Sequence, residues 1–472
     1  MKIICLDTLA TYQQSMAEAI QHDLESVFGP NLMGIDLDRV KEKNAQVLNH
    51  PWIDSAIMDF DPSLLHVFCP DNINPQLAIK AILSGDVVME HTAAGEATRL
   101  GLGTKYTLTP TGIVEAILTN SVFRKKHTDA EAKRLNTLTE SAKEETLRIA
   151  KRLTSFSIGT RKIAKVSFDI ADLAKKNGHD PREVLFKQTQ ILILNEATSA
   201  QILEEMSDFH FLGFNPENVY FMVQRSMEGY SLTQGKVVID RDSDKLLHNH
   251  GGMRMQQVMD QQFFRLLPSG EREYLPFDHI LEMFSNKKIL ISNNVEDLDQ
   301  LEVHSIDAYS ISLGLELGQE GYEMIMTSVG QKTPPQKGGF FAYIPGHGLA
   351  CFESDQHPGL NSNDPAELEK IKYLNKNVNM FPNPAKMFTS LKENDLPTHA
   401  TVKGYTHKAI YPQTPQGDLN FILKTQVIIE ENVSKIRNLK AQSDLLDTVK
   451  TMEAQENNVE FMAWLHQFVP RA

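Results

Sequence analysis

Residues 86–106 read DVVMEHTAAGEATRLGLGTKY, and this stretch decides the fold. DVVMEHT is a short apolar run that ends in small residues, as a buried strand feeding a loop does. Ala93, Ala94, Gly95 and Ala97 let the backbone turn tightly and come close to a ligand. Thr98 offers a hydroxyl, and Arg99 and Lys105 add two cations. Amides, a hydroxyl and cations at the end of a strand suit a polyphosphate. No Gly-Lys-Ser/Thr follows, which excludes a Walker A loop, and the glycine spacing does not fit the dinucleotide fingerprint. The residues alone leave two readings, a phosphate loop and a glycine-containing turn with surface cations.

Outward from this stretch, further strands are predicted at QILILN (190–195), VYFMVQ (219–224), KVVID (236–240) and KILISN (288–293). Helical stretches such as SAQILEEMSDF (199–209) lie between them. The alternation predicts an α/β domain with a mostly parallel sheet. FFAYI and LACFES flank PGHG, which predicts an antiparallel hairpin added to that sheet. Residues 1–84 read as helices and loops. That reading of 1–84 holds for most of the region, where TYQQSMAEAIQHDLESVF has helical spacing and is stopped by Gly29-Pro30. Residues 360–391, rich in Asn and Pro, read as loop with short helices. After Ser443, a plausible N-cap, the tail is helical.

The chain has 472 residues, with 47 Lys+Arg against 61 Asp+Glu, a net charge of −14. That charge argues against broad binding to nucleic acid or to an anionic membrane surface, but not against a small anionic ligand in a pocket. No apolar run approaches the ~18 residues of a membrane span, and the N-terminus is too short in apolar residues for a signal peptide. Cys5, Cys69 and Cys351 are odd in number and far apart, which points to a reducing, cytoplasmic compartment. Residues 121–165 carry 12 Lys/Arg and 5 Asp/Glu. A solvated helix opening with a Thr128–Glu131 capping box accounts for this segment, and so does a basic surface for a protein partner.

AAGEATRLG resembles the Gly-Gly-x-Gly-Thr-Arg-Leu-Gly loop of the UDP-sugar pyrophosphorylases, with Lys105 at the position of the lysine that follows. Other segments resemble that family in the same order. QILILNEATSAQILEEM is similar to its Met-Asn-Ser strand, with Leu194 at the methionine. NPENVYFMVQ places Gln224 near the uracil. LLHNHGGM is similar to its Gly-His-Gly-Asp or Gly-Asn-Gly-Gly turn, with His250 and Gly251 near nucleotide and sugar. VGQKTPPQKGGFF, which carries Gly339, and CFESDQHP with YLNKNVNMF put Gly339, Glu353 and Asn375 at the sugar. IRNLKAQSDLL places Lys440 at a phosphate-contacting lysine. The resemblance spans roughly residues 85–446.

It implies a Rossmann-like, mostly parallel nucleotidyltransferase core of the glycosyltransferase-A-like kind over 85–442. A helical N-terminal region (1–84) and a helical tail (443–472) flank it. The implied reaction joins UTP and a sugar 1-phosphate, glucose 1-phosphate first, into UDP-sugar and pyrophosphate. N-acetylglucosamine 1-phosphate is the alternative sugar. A degenerate member that binds a nucleotide-sugar or a protein partner without turnover is the alternative class. Arg99, Lys105 and Lys440 would be the catalytic cations, and Ala94, Gly95, Thr98, Leu194, Gln224 and Gly251 the nucleotide site. Mg²⁺ would be held by Asp297 or Glu296, acids that follow a strand's carboxyl end. Ala94 and Ala97 depart from the family's glycines, and each methyl is expected to crowd the ligand.

Overall fold

The computed structural model describes residues 8–42, 55–94, 104–119, 138–247, 249–295, 305–331, 335, 338–354, 360–361, 364–394, 396, 399–404, 406–413, 416–430, 439, 442 and 444–469. Its strands are β1 (His66–Val67), β2 (Val87–Thr92), β3 (Thr189–Asn195), β4 (Val219–Gln224), β5 (Ser226–Met227) and β6 (Gly229–Thr233). β7 (Lys236–Asp240), β8 (Leu246–Leu247), β9 (Phe263–Leu266), β10 (Arg272–Tyr274), β11 (Ile289–Asn294) and β12 (Met324–Gly330) follow. The last are β13 (Gly339–Ile344), β14 (Gly348–Glu353), β15 (Tyr373–Pro382), β16 (His399–Lys403), β17 (Ala409–Gln413) and β18 (Thr425–Glu430).

Twelve strands make the central sheet, along the path β1-β18-β12-β15-β11-β2-β3-β4-β9-β10, with hairpin β13–β14 attached to β15. Pairing is parallel along β1–β18–β12 and along β11–β2–β3–β4, while β15 is antiparallel to both neighbours. All but β9, β14 and β15 therefore run one way. β2, β3 and β4 are buried along their whole length, as parallel strands covered on both faces must be. Alternate residues serve the two faces. Val88, Ile191 and Met222 belong to the core layer that also holds residues of helices Asn249–Gln257, Phe277–Ser285 and Pro384–Glu393, while helix Leu9–Phe28 packs on β7 of the smaller sheet. Met89, Leu192 and Phe221 meet Ile158–Lys176, Ser199–Asp208 and Ala308–Gln319.

Helix Leu9–Phe28 buries Tyr12, Met16, Ile20 and Leu24, one residue per turn, and stops at Gly29 with φ +88°. Each such side chain contributes about 1.5–3 kcal/mol on full burial. The hairpin turns through Pro345–His347, with Gly346 at φ +79°. The tail is helical, as Asp444–Glu456 and Val459–Leu465. It docks on Ile158–Lys176, where Trp464 Nε1 donates to Ser167 Oγ at 2.8 Å.

Several expectations are corrected. Residues 360–391 are not loop with short helices: they hold β15, between β12 and β11. Asn375, Lys376, Asn377 and Asn379 mask its apolar signal, and a bulge breaks its alternation. KVVID does not enter the main sheet. It pairs with β6 across Gln234–Gly235, both at positive φ, in a separate antiparallel sheet β16-β17-β6-β7. Two successive positive φ values are the turn that suits a two-residue hairpin. Residues 1–84, read mainly as helices and loops, also contribute the two-residue edge strand β1 beside β18. Nor are the cations of 121–165 all at a surface: Arg161 and Lys162 are wholly buried and Lys165 nearly so. Thr128 and Glu131 lie outside the described residues, and the helix that follows, Glu140–Ala150, is capped by Thr139. Among the described residues, neither Cys69 nor Cys351 is in a disulfide. Among the described residues no helix is long and apolar enough to cross a membrane.

Candidate functional site

Because β11, β2, β3 and β4 are parallel neighbours, their carboxyl ends share one edge of the sheet. Such an edge is where open α/β sheets bind ligands. The four ends carry Asn294, Thr92, Asn195 and Gln224. The Thr92 hydroxyl donates to the Asn293 carbonyl at 3.2 Å and to Asn294 Oδ1. Asn195 Nδ2 donates to the Ala94 carbonyl at 3.1 Å, while its Oδ1 accepts from Thr198 N at 2.9 Å. Asn195 thus pins the root of the small-residue loop to β3. The Ala94 methyl is buried with Val88 and Ile191 in the core, so the crowding expected of it is directed inward rather than at a ligand.

Leu194 is fully buried in the opposite core layer. Gln224 is nearly buried at the end of β4, directly opposite Asn195. Just beyond them Glu196 accepts from Arg225 Nη1 at 3.1 Å and from Ser226 N at 3.0 Å, clasping the ends of β3 and β4. Gly95, Thr98, Arg99, Glu296, Asp297 and Lys440 lie outside the described residues. Val295, the last described residue before the two acids, donates its N–H to the Thr92 carbonyl at 3.3 Å. The described part of β11 therefore ends at the same edge as β2.

Lys105 is seated by its neighbour. Tyr106 is fully buried, and its carbonyl accepts from Gly159 N at 2.8 Å. The Leu108 carbonyl accepts from Ile158 N at 2.9 Å. The segment is thus stapled to the start of helix Ile158–Lys176. A Cβ on Gly159 would stand 2.3 Å from the Tyr106 ring. Gly159→Ala is therefore expected to cost about 1–3 kcal/mol, read as a lower urea midpoint. An unchanged midpoint would show that the ring can yield.

LLHNHGGM is not a turn: His250 and Gly251 lie in the first turn of helix Asn249–Gln257. The helix is held from below by a fully buried cluster. Arg254 donates through Nη2 to Glu90 Oε1 at 2.6 Å and through Nη1 to Glu90 Oε2 at 2.8 Å. Gln257 Nε2 donates to Glu90 Oε2 at 2.6 Å. The guanidinium also lies over the Phe381 ring, 5.2 Å from its centroid. Gln256 Oε1 accepts from Arg225 N at 3.0 Å, tying the helix to the end of β4.

On the sheet's other face His91 is buried between Gln190 and Asn293, at 3.1 and 3.3 Å. Burial, and then the Lys162 cation, push it down to about 4. A neutral imidazole has one N–H, so one of these two amides must turn its own N–H₂ toward the ring. The unfolded chain takes up this proton near pH 6.5 and the folded one only near pH 4. Stability from this group is complete above about pH 6.5 and is lost as the pH falls toward 4, by up to about 3 kcal/mol. Urea midpoints at pH 7 and pH 5 should differ less in His91→Gln than in the parent chain. Equal differences would remove His91 as the cause.

The second half of the site lies on the same edge, because antiparallel β15 starts where its neighbours end. Gly339 pairs with Glu353. A Cβ on Gly339 would lie 3.3 Å from Asn375 Cβ. The structure therefore brings Gly339, Glu353 and Asn375 together, with Glu353 exposed. Asn377, at φ +61°, donates its N–H to Asn375 Oδ1 at 2.9 Å. Here the β12–β15 register shifts between Met326 and Ser328, and bulges of this kind re-aim side chains beside active sites. Lys376 Nζ lies 3.3 Å from Glu430 Oε2 at the end of β18.

Sequence reading passed over Asn195, Glu196, the Glu90–Arg254–Gln257 cluster and the Lys376–Glu430 pair. The polar end of QILILN signalled the first. The others involve partners far apart in sequence, and nothing local marks them.

No protein-family model matches the chain, and no curated protein matches its sequence. Its fold does match solved structures. The UDP-N-acetylglucosamine pyrophosphorylase of Trypanosoma brucei, solved with an inhibitor, aligns over 92% of this chain and 79% of its own, at 14% identity and a TM-score of 0.56. A variant UDP-glucose pyrophosphorylase of Leishmania major, solved with UDP-glucose, aligns over 91% and 78%, at 14% identity and a TM-score of 0.54. The chain has the fold of these pyrophosphorylases.

Proposed function

We propose that the chain is a uridylyltransferase that makes a UDP-sugar and pyrophosphate from UTP and a sugar 1-phosphate, glucose 1-phosphate first. The observation that carries this reading is the shared edge. The root of the small-residue loop, Gln224, the helix bearing Gly251 and the group Gly339–Glu353–Asn375 all lie along the carboxyl ends of one sheet. The likeness in fold to proteins titled as UDP-sugar pyrophosphorylases supports it.

A phosphate oxygen of the sugar 1-phosphate attacks the α-phosphorus of UTP, and pyrophosphate leaves. No covalent protein intermediate is needed, so alignment and charge neutralisation carry the rate. Arg99 and Lys105 hold the departing phosphates, and Lys440 bridges the α-phosphate and the sugar phosphate. Gln224 binds the uracil edge. Glu353 and Asn375 hold sugar hydroxyls. Two acids just after β11, Glu296 and Asp297, suit a hard cation such as Mg²⁺, which would neutralise phosphate charge when bound.

The test is a panel of sugar 1-phosphates with UTP and Mg²⁺, read by pyrophosphate release. Release with glucose 1-phosphate supports the full reading. Release only with N-acetylglucosamine 1-phosphate changes the sugar. UTP binding with no release from any sugar would leave a binding protein and sink the enzyme.

A further inference from the structure

One buried carboxylate has no part in the chemistry above. Glu205 belongs to helix Ser199–Asp208, which buries Ile202, Leu203 and Met206. Its Oε1 accepts from the Ser157 hydroxyl at 2.5 Å and from the Thr160 hydroxyl. Among the described residues no cation pairs with it, and burial pushes its pKa up. A buried carboxylate without a cation is costly. What it holds is the start of helix Ile158–Lys176, to which the Lys105 segment is stapled.

The hydrogen bonds at that start can be followed one by one. The first N–H groups of a helix have no partner inside it. Here those of Ile158 and Gly159 go to the carbonyls of Leu108 and Tyr106, at 2.9 and 2.8 Å. That of Thr160 goes to Oγ of the N-cap Ser157 at 3.0 Å. Because Ser157 Oγ accepts there, its own hydrogen is free to turn to Glu205. The carboxylate fixes the cap, and the capped turn grips residues 106–108. The Tyr106 hydroxyl is buried with no hydrogen-bond partner among the described residues. Burial, and then the Glu205 charge, hold its pKa well above the usual value, so the ring end and the carboxylate are close.

The same helix reaches the other end of the small-residue loop. Its N-cap Thr198 donates its N–H to Asn195 Oδ1 at 2.9 Å, and Asn195 Nδ2 holds the Ala94 carbonyl at 3.1 Å. From Ser199 to Glu205 the helix rises about 9 Å. One helix thereby ties the chain before the loop, at Ala94, and the chain after it, at Tyr106.

We propose that Glu205 is a positioning residue for Lys105. Through Ser157 and the first turn of helix Ile158–Lys176, it sets where the Lys105 ammonium stands relative to the root of the loop. The inference rests on the reading of Lys105 as a lysine that holds the departing phosphates. A tie that served stability alone would lower the unfolding free energy and leave phosphate binding unchanged.

The test is calorimetric titration with pyrophosphate and Mg²⁺, with urea unfolding alongside. The full chains compared are the parent, Glu205→Ala, Glu205→Gln, Lys105→Ala and Glu205→Ala/Lys105→Ala. Glu205→Ala should weaken pyrophosphate binding about tenfold, a loss of about 1.4 kcal/mol. Glu205→Gln keeps an oxygen that accepts from both hydroxyls and should stay within about threefold of the parent. Without Lys105, Glu205→Ala should add less than about twofold, because the group it positions is gone. If Glu205→Ala does not fold, Ser157→Gly, a mild change at a helix cap, should give the same loss and the same silence without Lys105. The proposal is overturned if Glu205→Ala binds pyrophosphate as the parent does, if its loss persists without Lys105, or if Glu205→Gln is as weak as Glu205→Ala. The expected pattern of binding with no pyrophosphate release from any sugar 1-phosphate supports the positioning role and sinks only the enzyme. A parent chain that does not bind pyrophosphate overturns both.

Discussion

Arg254→Met should lower the unfolding free energy by about 3–5 kcal/mol, the usual cost of removing one partner of a buried ion pair. Arg254 and Glu90 are both fully buried, and the carboxylate accepts three hydrogen bonds, two from Arg254 and one from Gln257. Without the guanidinium, Glu90 keeps only the Gln257 bond. It must then stay charged in an apolar layer or take up a proton. Glu90→Leu leaves the guanidinium without its counter-charge instead and should also be costly. A Glu90→Leu/Arg254→Met chain should recover much of the loss, since an apolar pair of similar volume removes both charges. Urea unfolding of all four chains measures this. Single losses below about 1 kcal/mol, or a double chain no better than the sum of the singles, would show that the pair is not a coupled unit. The helix carrying Gly251 rests on this pair, so if the proposed reaction holds, a loss of fixed geometry should also raise the concentration of UTP needed for half-saturation.

Lys105→Ala should reduce pyrophosphate release by about 10²–10³-fold, as removal of one preorganised charge-stabilising group does. The expectation rests on the proposed reaction. Lys105 follows the small-residue loop and is positioned by Tyr106, locked against Gly159. The substitution should leave the unfolding free energy within about 0.5 kcal/mol of the parent, so an activity loss cannot be blamed on folding. Lys105→Arg should keep more activity than Lys105→Ala. A loss of less than threefold in Lys105→Ala would remove Lys105 from the phosphate site while leaving the fold untouched.

Much of this architecture is legible along the chain. DVVMEHT, QILILN, VYFMVQ and KILISN are continuous apolar runs bounded by turn residues, and all four became neighbouring parallel strands. The apolar spacing of 11–28 and the terminal Gly29 mark a helix without ambiguity. PGHG gave its hairpin. β15 was hidden for a physical reason. Its first half lies at the carboxyl edge of its neighbours, where Lys376 meets Glu430 and Asn375 meets Asn377, so these residues are polar without the segment being a loop. KVVID has strand chemistry but no local sign of which sheet it joins. That was decided by a tight turn pairing it with β6.

The candidate site divides the same way. Small residues, a cation and an amide at strand ends are local patterns, so Ala94, Lys105 and Gln224 could be picked out by position. Burial could not. Arg161, Lys162 and Lys165 look like a basic surface in sequence, yet helix Ile158–Lys176 buries all three, pairing Arg161 with Glu456 and Lys165 with Asp169. Sequence alone determined the type of most elements and the order in which they occur, because periodicity and caps act within a few residues. Only the tertiary structure decided which charges are buried and which strands adjoin. It also decided that Gly339, Glu353 and Asn375 meet, because those outcomes depend on contacts between residues tens to hundreds of positions apart.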